Sequence, residues 1–294
     1  MSTGTTTEAP PTGKDAAELA ARYGLSPMGI RPGLIEYIGQ LWSRRYFVST
    51  LATSRAYARH EGNYLGQLWS VLTPMLNAAV YYFIFGVLLG TSRGVDNFPA
   101  FLVIGVFLFR FTTSSIISGS RSLLSNTSLL RSLHFPRAVL PAANVMAELA
   151  HLGPAILVMV GITVITGEQP KWTWLLLPFV IAMQWLFNTG MAFMVARATV
   201  RIPDLTNLLP FTLRLLMYVS GVFFSVDHYV GDTPLGHLMT YQPVAVYLSL
   251  ARGCLLDQFT PEPVMWAFGF GWAVLFLVGG FVLFWRGEET YGRD

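Results

Sequence analysis

An all-α integral membrane protein with six transmembrane helices is predicted by three observations. Of 294 residues, 53% are hydrophobic and 12% charged, and the mean hydropathy is +0.51, beyond ordinary soluble domains. Six windows approach the roughly 20 mainly apolar residues that a helix needs to cross a bilayer: Leu72–Gly90, Phe98–Gly119, Val139–Thr166, Trp172–Ala196, Leu205–Phe224 and Trp266–Trp285. Arg and Lys, finally, gather on alternate loops. With the N-terminus inside, fourteen of the nineteen basic residues fall on the cytoplasmic side; Arg93, Lys171 and Arg252 stay outside, and Arg110 and Arg214 lie within spans. Both termini are therefore expected in the cytoplasm.

Residues 1–30, rich in Thr, Pro and Gly at their start, bury too little apolar surface to order strongly, and they lack the charged start and apolar core of a secretory signal. Residues 31–60 form a second region. There Leu34, Ile38, Leu41 and Trp42 recur at helical spacing, with Glu36, Arg44 and Arg45 mainly off the stripe. This pattern predicts an N-terminal amphipathic interface helix, with Trp42 and Tyr46 at the headgroup boundary; packing on its own protein is the alternative. Residues 61–287 hold the six spans, and 288–294 a cytoplasmic tail.

Between spans two and three the chain carries Arg121, Arg131 and Arg137 with no acidic residue among them, and ends in His134-Phe135-Pro136-Arg137. Ser122 to Leu133 can form a short helix with Leu123, Leu124, Leu129, Leu130 and Leu133 on one side, a shape that fits a partner's groove. Pro136 stiffens the exit. A rigid cytoplasmic coupling helix needs this combination, although a solvated positive loop would carry the same charges. Between spans five and six, Leu235–Met239 and Val244–Leu256 are apolar but short, broken by Pro243, and predict re-entrant or interfacial helices.

Within the spans, Arg110 is costly unless it faces protein or water, and Glu148, with His151 three residues on, is its most plausible partner. The trio reads as a structural buried group or, less simply, a proton relay. Arg214 suits either an anionic group in a channel or a bond across a dimer. Arg201 and Asp204 flank Pro203 before span five, where Asp204 is placed to cap the next helix.

The exclusions are equally informative. The +3 formal charge is explained by topology, so no nucleic-acid partner is implied. A single cysteine, Cys254, excludes an internal disulfide framework and a cysteine-cluster metal site. There is no GxxxxGK[ST] phosphate cradle, HExxH, CxxC or GxSxG. No catalytic residue, metal ligand or cofactor is assigned, and a chain that pumps without its own nucleotide motif requires a partner that has one.

Arg59-His-Glu-Gly-Asn-Tyr-Leu-Gly-Gln-Leu-Trp69 into Pro74, Gly105 with Phe107–Phe111, Asn126-Thr-Ser-Leu-Leu130 into Phe135-Pro-Arg137 and Pro141, and Arg201-Ile-Pro-Asp204 before Ser220-Gly-Val-Phe-Phe-Ser225 resemble the ABC-2 type permeases. The resemblance spans about Gly29 to Arg286. It is closest to the Wzm-type subunits that export lipid-linked O-antigen or teichoic acid polymers, and within them to galactan exporters. It implies a second copy of the chain, two cytoplasmic ATPase subunits that bind ATP and Mg, membrane lipid around the dimer, and a channel lined chiefly by spans one and five. Tyr81, Tyr82, Phe85, Tyr218, Phe223 and Phe224 are then glycan-contact candidates with Arg214, since aromatic faces stack on sugar rings; lipid-facing aromatics are the alternative. The resemblance places ATPase contacts at Leu129, Leu130, Arg131, His134, Phe135, Pro136 and Arg137, with Trp42 to Arg59 as a second contact, and makes Arg201 and Asp204 part of an inner gate. A small-molecule or lipid exporter of the same family is the rival reading. An ion-coupled transporter is less favoured, because Glu148 is nearly alone in the membrane and the two halves do not repeat.

Overall fold

The computed structural model describes residues 32–58, 64–90, 94–132, 135–231 and 233–291, and their regular structure is helical throughout. Two helices precede the bundle, α1 (Leu34–Ser43) and α2 (Arg45–Ala58), where a single surface helix over Leu34–Val48 is expected; the break is a turn at Arg44. On α1, Tyr37 is 1% exposed and Leu41 packs beside it, while Ile35, Ile38 and Trp42 face outward. The helix thus has two apolar sides, one docked on its own protein and one facing outward. Arg45 caps the outward side, its guanidinium 4.6 Å from the Tyr46 ring centroid and 5.6 Å from that of Trp42.

The bundle follows. Helix α3 comprises Trp69–Tyr81 and a π-helical continuation, Tyr82–Leu88, closed by Leu89 N–H donating to the Ile84 carbonyl five residues back at 2.9 Å. Helix α4 (Phe98–Arg121) starts on an Asn97 cap, whose side chain accepts from Ala100 N–H at 3.3 Å. A 3₁₀ turn (Leu124–Asn126) and the six-residue α5 (Thr127–Ser132) form the connector to α6 (Val139–Ile165). A 3₁₀ turn (Trp172–Leu176) leads into α7 (Leu177–Arg201), then α8 (Leu205–Val219), the single-turn α9 (Val226–Tyr229), α10 (Pro234–Tyr241), α11 (Pro243–Leu255) and α12 (Pro263–Trp285).

Helices α4 and α7 form the centre. They pack on each other, with α6 against α4 and α7, α12 against α7, and α3 and α8 on the outer flank of α4. Gln184 Nε2 on α7 staples the pair by donating to the Leu108 carbonyl and to Thr112 Oγ1, each at 2.9 Å. Burial follows this order: α4 is enclosed nearly all round, whereas α3, α6 and α12 keep most of their apolar surface open.

Five helical segments among the described residues are long and apolar enough to cross a membrane: Val71–Leu88, Phe98–Arg121, Val139–Ile165, Trp172–Arg201 and Pro263–Trp285. The expected fifth span, Leu205–Phe224, differs. Its helix stops at Val219 after 15 residues, about 22 Å at 1.5 Å per residue against a hydrocarbon thickness of about 30 Å. Gly221, at φ +64°, turns the chain away there, in a conformation that favours glycine. The broken pair between the last two long elements agrees with expectation: Pro243 ends α10 and opens α11 at a position where its missing N–H costs nothing.

Candidate functional site: a connector clamp and an arginine staple

At one end of the bundle the connector is held by two polar knots. The first centres on Arg55 of α2. Its Nη2 donates to Asn126 Oδ1 at 3.0 Å, and its Nη1 donates to the Leu140 carbonyl at 3.3 Å and to Asn144 Oδ1. Asn144 Nδ2 continues to the Ser118 carbonyl at 2.6 Å, and Asn126 Nδ2 to the Ser122 carbonyl at 2.8 Å. One guanidinium therefore fastens α2, the connector, α6 and the end of α4 together. Burial pushes its pKa below the ordinary arginine value, yet arginine stays charged at any physiological pH, so the bonds are charge-assisted and strong.

The second knot joins the two ends of the described chain to the connector's exit. Tyr37 hydroxyl donates to Glu288 Oε2 at 2.7 Å and accepts from Ala138 N–H at 3.1 Å. Glu288 Oε1 accepts from Arg137 N–H at 3.0 Å, and the Arg137 guanidinium donates to the Glu288 carbonyl. Trp285 Nε1 donates to the Pro32 carbonyl at 3.0 Å. Leu123, Leu140, Phe193, Phe284 and Tyr291 close around these groups, with Leu129, Leu130 and Phe135 against them. The start of the expected tail is a packed element, since Glu288 of the 3₁₀ turn Glu288–Thr290 joins the clamp.

Burial raises the Glu288 carboxyl above its usual value of 4.5 and pushes the Tyr37 hydroxyl up as well. For a carboxylate with a raised folded-state pKa, the folded protein binds the proton more tightly than the unfolded chain does. Its burial penalty is then absent below the unfolded pKa and develops as pH rises through the folded one. Wild-type protein is expected to lose stability as pH rises from about 4.5 through the folded-state value, and Glu288→Gln to lose that component. Thermal unfolding in detergent from pH 4 to 7 checks this; parallel profiles for the two proteins would contradict it.

The other predicted residues divide. Pro136 is buried, and Leu129, Leu130, Phe135 and Arg137 are half-buried against the chain itself; the Phe135 ring meets Phe47 edge-on at 5.7 Å. The expected continuous helix over Ser122–Leu133 is two short pieces, and Leu123 points inward at 2% exposure instead of toward a partner. Trp42 is open. Arg59, His134 and the side chain of Arg131 lie outside the described residues, as do residues 1–30.

Tyr81, Phe85, Tyr218 and Phe223 come together. Phe223 stacks on Phe85 at 4.5 Å and meets Tyr81 at 4.7 Å and Tyr218 at 5.7 Å. Phe223 is 1% exposed, so it anchors the cluster from within, while Tyr82 and Tyr218 are exposed. Tyr82 leans on Phe98 at 6.2 Å and Phe224 on Tyr229 at 5.8 Å. Arg214 is exposed, as is Arg110; Glu148 is buried on α6 and His151 half-buried. Arg201 and Asp204 are both exposed and no ion pair joins them. The Asp204 carboxylate does not cap α8: the residue already has helical dihedrals, and its backbone carbonyl accepts the first bonds, from Asn207 and Leu208 N–H.

At the opposite end, Arg252, expected outside, is the most enclosed cation among the described residues. Arg252 of α11, 5% exposed, donates from Nη1 to the Gly221 carbonyl at 2.9 Å, from Nη2 to Val222 at 3.1 Å, and from Nε and Nη2 to Phe101 at 3.4 Å. Its guanidinium carbon lies 3.4 Å from the Phe101 ring centroid. The turn after α8 is thereby fixed to α4. Nearby, Glu168 binds Asn97 Nδ2 at 3.1 Å and Asp257 N–H at 3.0 Å, Gln258 binds Asp96 N–H and the Gly94 carbonyl, each at 2.8 Å, and Lys171 pairs with Asp257 at 2.5 Å. Three loops are laced into a rim. Asn126, Asn144, Tyr37, Glu288 and Arg252 are not among the expected site residues, and Arg55 falls only within the broad Trp42–Arg59 contact; the available signals are two asparagines beside apolar runs and an arginine inside an apolar helix.

An all-helical bundle with several long apolar helices among the described residues defines a multi-pass membrane protein. The chain belongs to the ABC-2 type transporter family, whose model matches residues 48–256. It is similar to the O-antigen export system permease protein RfbA of Myxococcus xanthus, 24% identical over 79% of this chain and 89% of that one. It is also similar to two proteins of the same name from Klebsiella pneumoniae, 27% and 28% identical over 64% of this chain and 71% of each.

Proposed function

We propose that the chain is the permease subunit of an ABC exporter that moves a lipid-linked polysaccharide across the bacterial inner membrane. Two copies would work with two cytoplasmic ATPase subunits, which bind the ATP and Mg. The carrying observation is the family match over residues 48–256 together with relatives named for O-antigen export. The open aromatic flank of α3 and α8, where Tyr82 and Tyr218 are exposed, supports a sugar-compatible path between two copies. In this reading α8 adds a crossing, the fifth of six in chain order, short because the Arg252-held turn completes its outer end, and both termini are cytoplasmic. The connector clamp supports coupling: a push on α5 reaches α2, α4 and α6 through the Arg55 bonds and α12 through Glu288, so the connector moves as part of a rigid body.

The test is ATP-dependent movement of a radiolabelled lipid-linked glycan into inverted vesicles holding this chain, with and without its ATPase. Uptake that needs both supports the proposal; ion-driven uptake without ATPase sinks it and turns attention to Arg110, Glu148 and His151. In the same assay Arg55→Met, which keeps the stem and removes the bonds, is expected to lower glycan moved per ATP hydrolysed roughly 2- to 30-fold. ATP hydrolysis itself persists. An unchanged ratio would take the clamp out of the coupling path.

A further inference from the structure

Next to Arg252 lies a cavity of about 80 Å³, walled by Phe101, Phe224 and Met265, by Ser220, whose hydroxyl donates to the Leu216 carbonyl, and by four further hydroxyl residues, Ser225, Thr240, Ser249 and Thr260. Two features of this space are unusual. Among the described residues none of those four hydroxyl groups makes a hydrogen bond to protein, and no carboxylate pairs with Arg252. The guanidinium's bonds use the Nε proton, one on Nη1 and two on Nη2, which leaves one of its five N–H groups on Nη1 uncommitted. A charge enclosed to this degree is expensive unless it is neutralised, and carbonyl dipoles with one ring face only partly offset the cost.

We infer that this cavity is a phosphoryl-binding site, in which Arg252 supplies the charge and the four hydroxyls supply orientation. A planar guanidinium with a free N–H matches a tetrahedral oxyanion better than it matches water. The space fits this size class: one water needs about 10–15 Å³ of such volume, so the cavity holds a few waters or one oxyanion and excludes a sugar ring. Thr260 is exposed, so the cavity reaches the surface at the loop between α11 and α12. The adjoining loop, joined to this one by the Lys171–Asp257 pair, carries Trp172, 88% exposed beside Lys171, the pairing found where a bilayer surface begins. A phosphoryl group could therefore arrive on a lipid headgroup or free in solution. The inference does not depend on what the protein transports.

The experiment uses the full-length protein, stripped of phospholipid in a maltoside detergent. It is titrated separately with inorganic phosphate, short-chain phosphatidylglycerol and, as the control, chloride at matched ionic strength, with thermal unfolding and native mass spectrometry as readouts. Saturable stabilisation by phosphate identifies the free ion; stabilisation by the lipid alone identifies a headgroup. Either supports the site. Because Arg252 also staples the fold, the decisive variants are Ser249→Ala and Thr260→Val, which leave the staple intact. Each is expected to weaken binding about tenfold with no change in ligand-free melting temperature. No saturable effect of either ligand beyond chloride, or unaltered affinity in both variants, overturns the inference.

Discussion

Arg252→Ala is expected to destabilise the protein by on the order of 3–5 kcal/mol, as read by unfolding in detergent micelles. The carbonyls of Gly221 and Val222, both in buried residues, lose the guanidinium together, while that of Phe101, inside α4, keeps its helical donor, and each unsatisfied group costs about 1–3 kcal/mol. Removing a buried charge returns part of that sum. Gly105→Ala is expected to act in the same direction, because a Cβ at Gly105 would lie 2.6 Å from Arg252 Nη2 and 3.1 Å from the Val222 carbonyl oxygen. The loosening should be local, with proteolytic sensitivity rising between Ser220 and Ser225. A loss below about 1 kcal/mol for Arg252→Ala would mean that the carbonyls find other donors and that the staple is weak.

Gly190→Val is expected to be at least as damaging, about 4 kcal/mol or more, seen as loss of folded protein in size-exclusion profiles. Helices α7 and α12 make the most extensive helix pair in the bundle, and they touch backbone to backbone at Gly190 and Gly280. A Cβ on Gly190 would land on the Phe276 carbonyl, and one on Gly280 would sit 3.0 Å from Gly190 Cα. Backbone cannot rotate aside as a side-chain end can, so the helices must separate. Gly279, one residue earlier, has nothing within 4 Å of its Cβ position. Gly279→Ala is the control, expected within about 0.5 kcal/mol of wild type. Equal tolerance of both changes would show that the pair packs loosely here.

Much of this architecture is legible in the sequence because membranes impose a simple rule. Runs of about 20 apolar residues announce themselves, and five of the six windows coincide with long helices. Pro243 marked the break between α10 and α11 because proline removes a backbone donor. Leu205–Phe224 misled because hydropathy reports composition, whereas the helix end depends on Gly221 adopting a left-handed turn that a distant arginine then holds. The aromatic candidates were recognisable as a set, yet the burial of Phe223 among Tyr81, Phe85 and Tyr218 depends on how α3 meets α8. The clamp is least legible of all. Arg55 and Glu288 read as surface charges in one dimension, and their partners lie 71 to 251 positions away.

The bond from Tyr37 to Glu288 spans 251 positions of chain. At translation speeds of about 5–20 residues per second, roughly 10–50 s separate the synthesis of its two partners. Throughout that interval the first helix and the exit of the connector exist without the carboxylate that holds them, although the spans between them are already being delivered to the membrane. The contact is therefore a late-closing one, in which a segment made 251 positions after the first docks back on it. A ribosome that stalls or terminates before residue 288 would release a protein that is inserted but unlatched, with Tyr37 and the Ala138 amide exposed to surveillance.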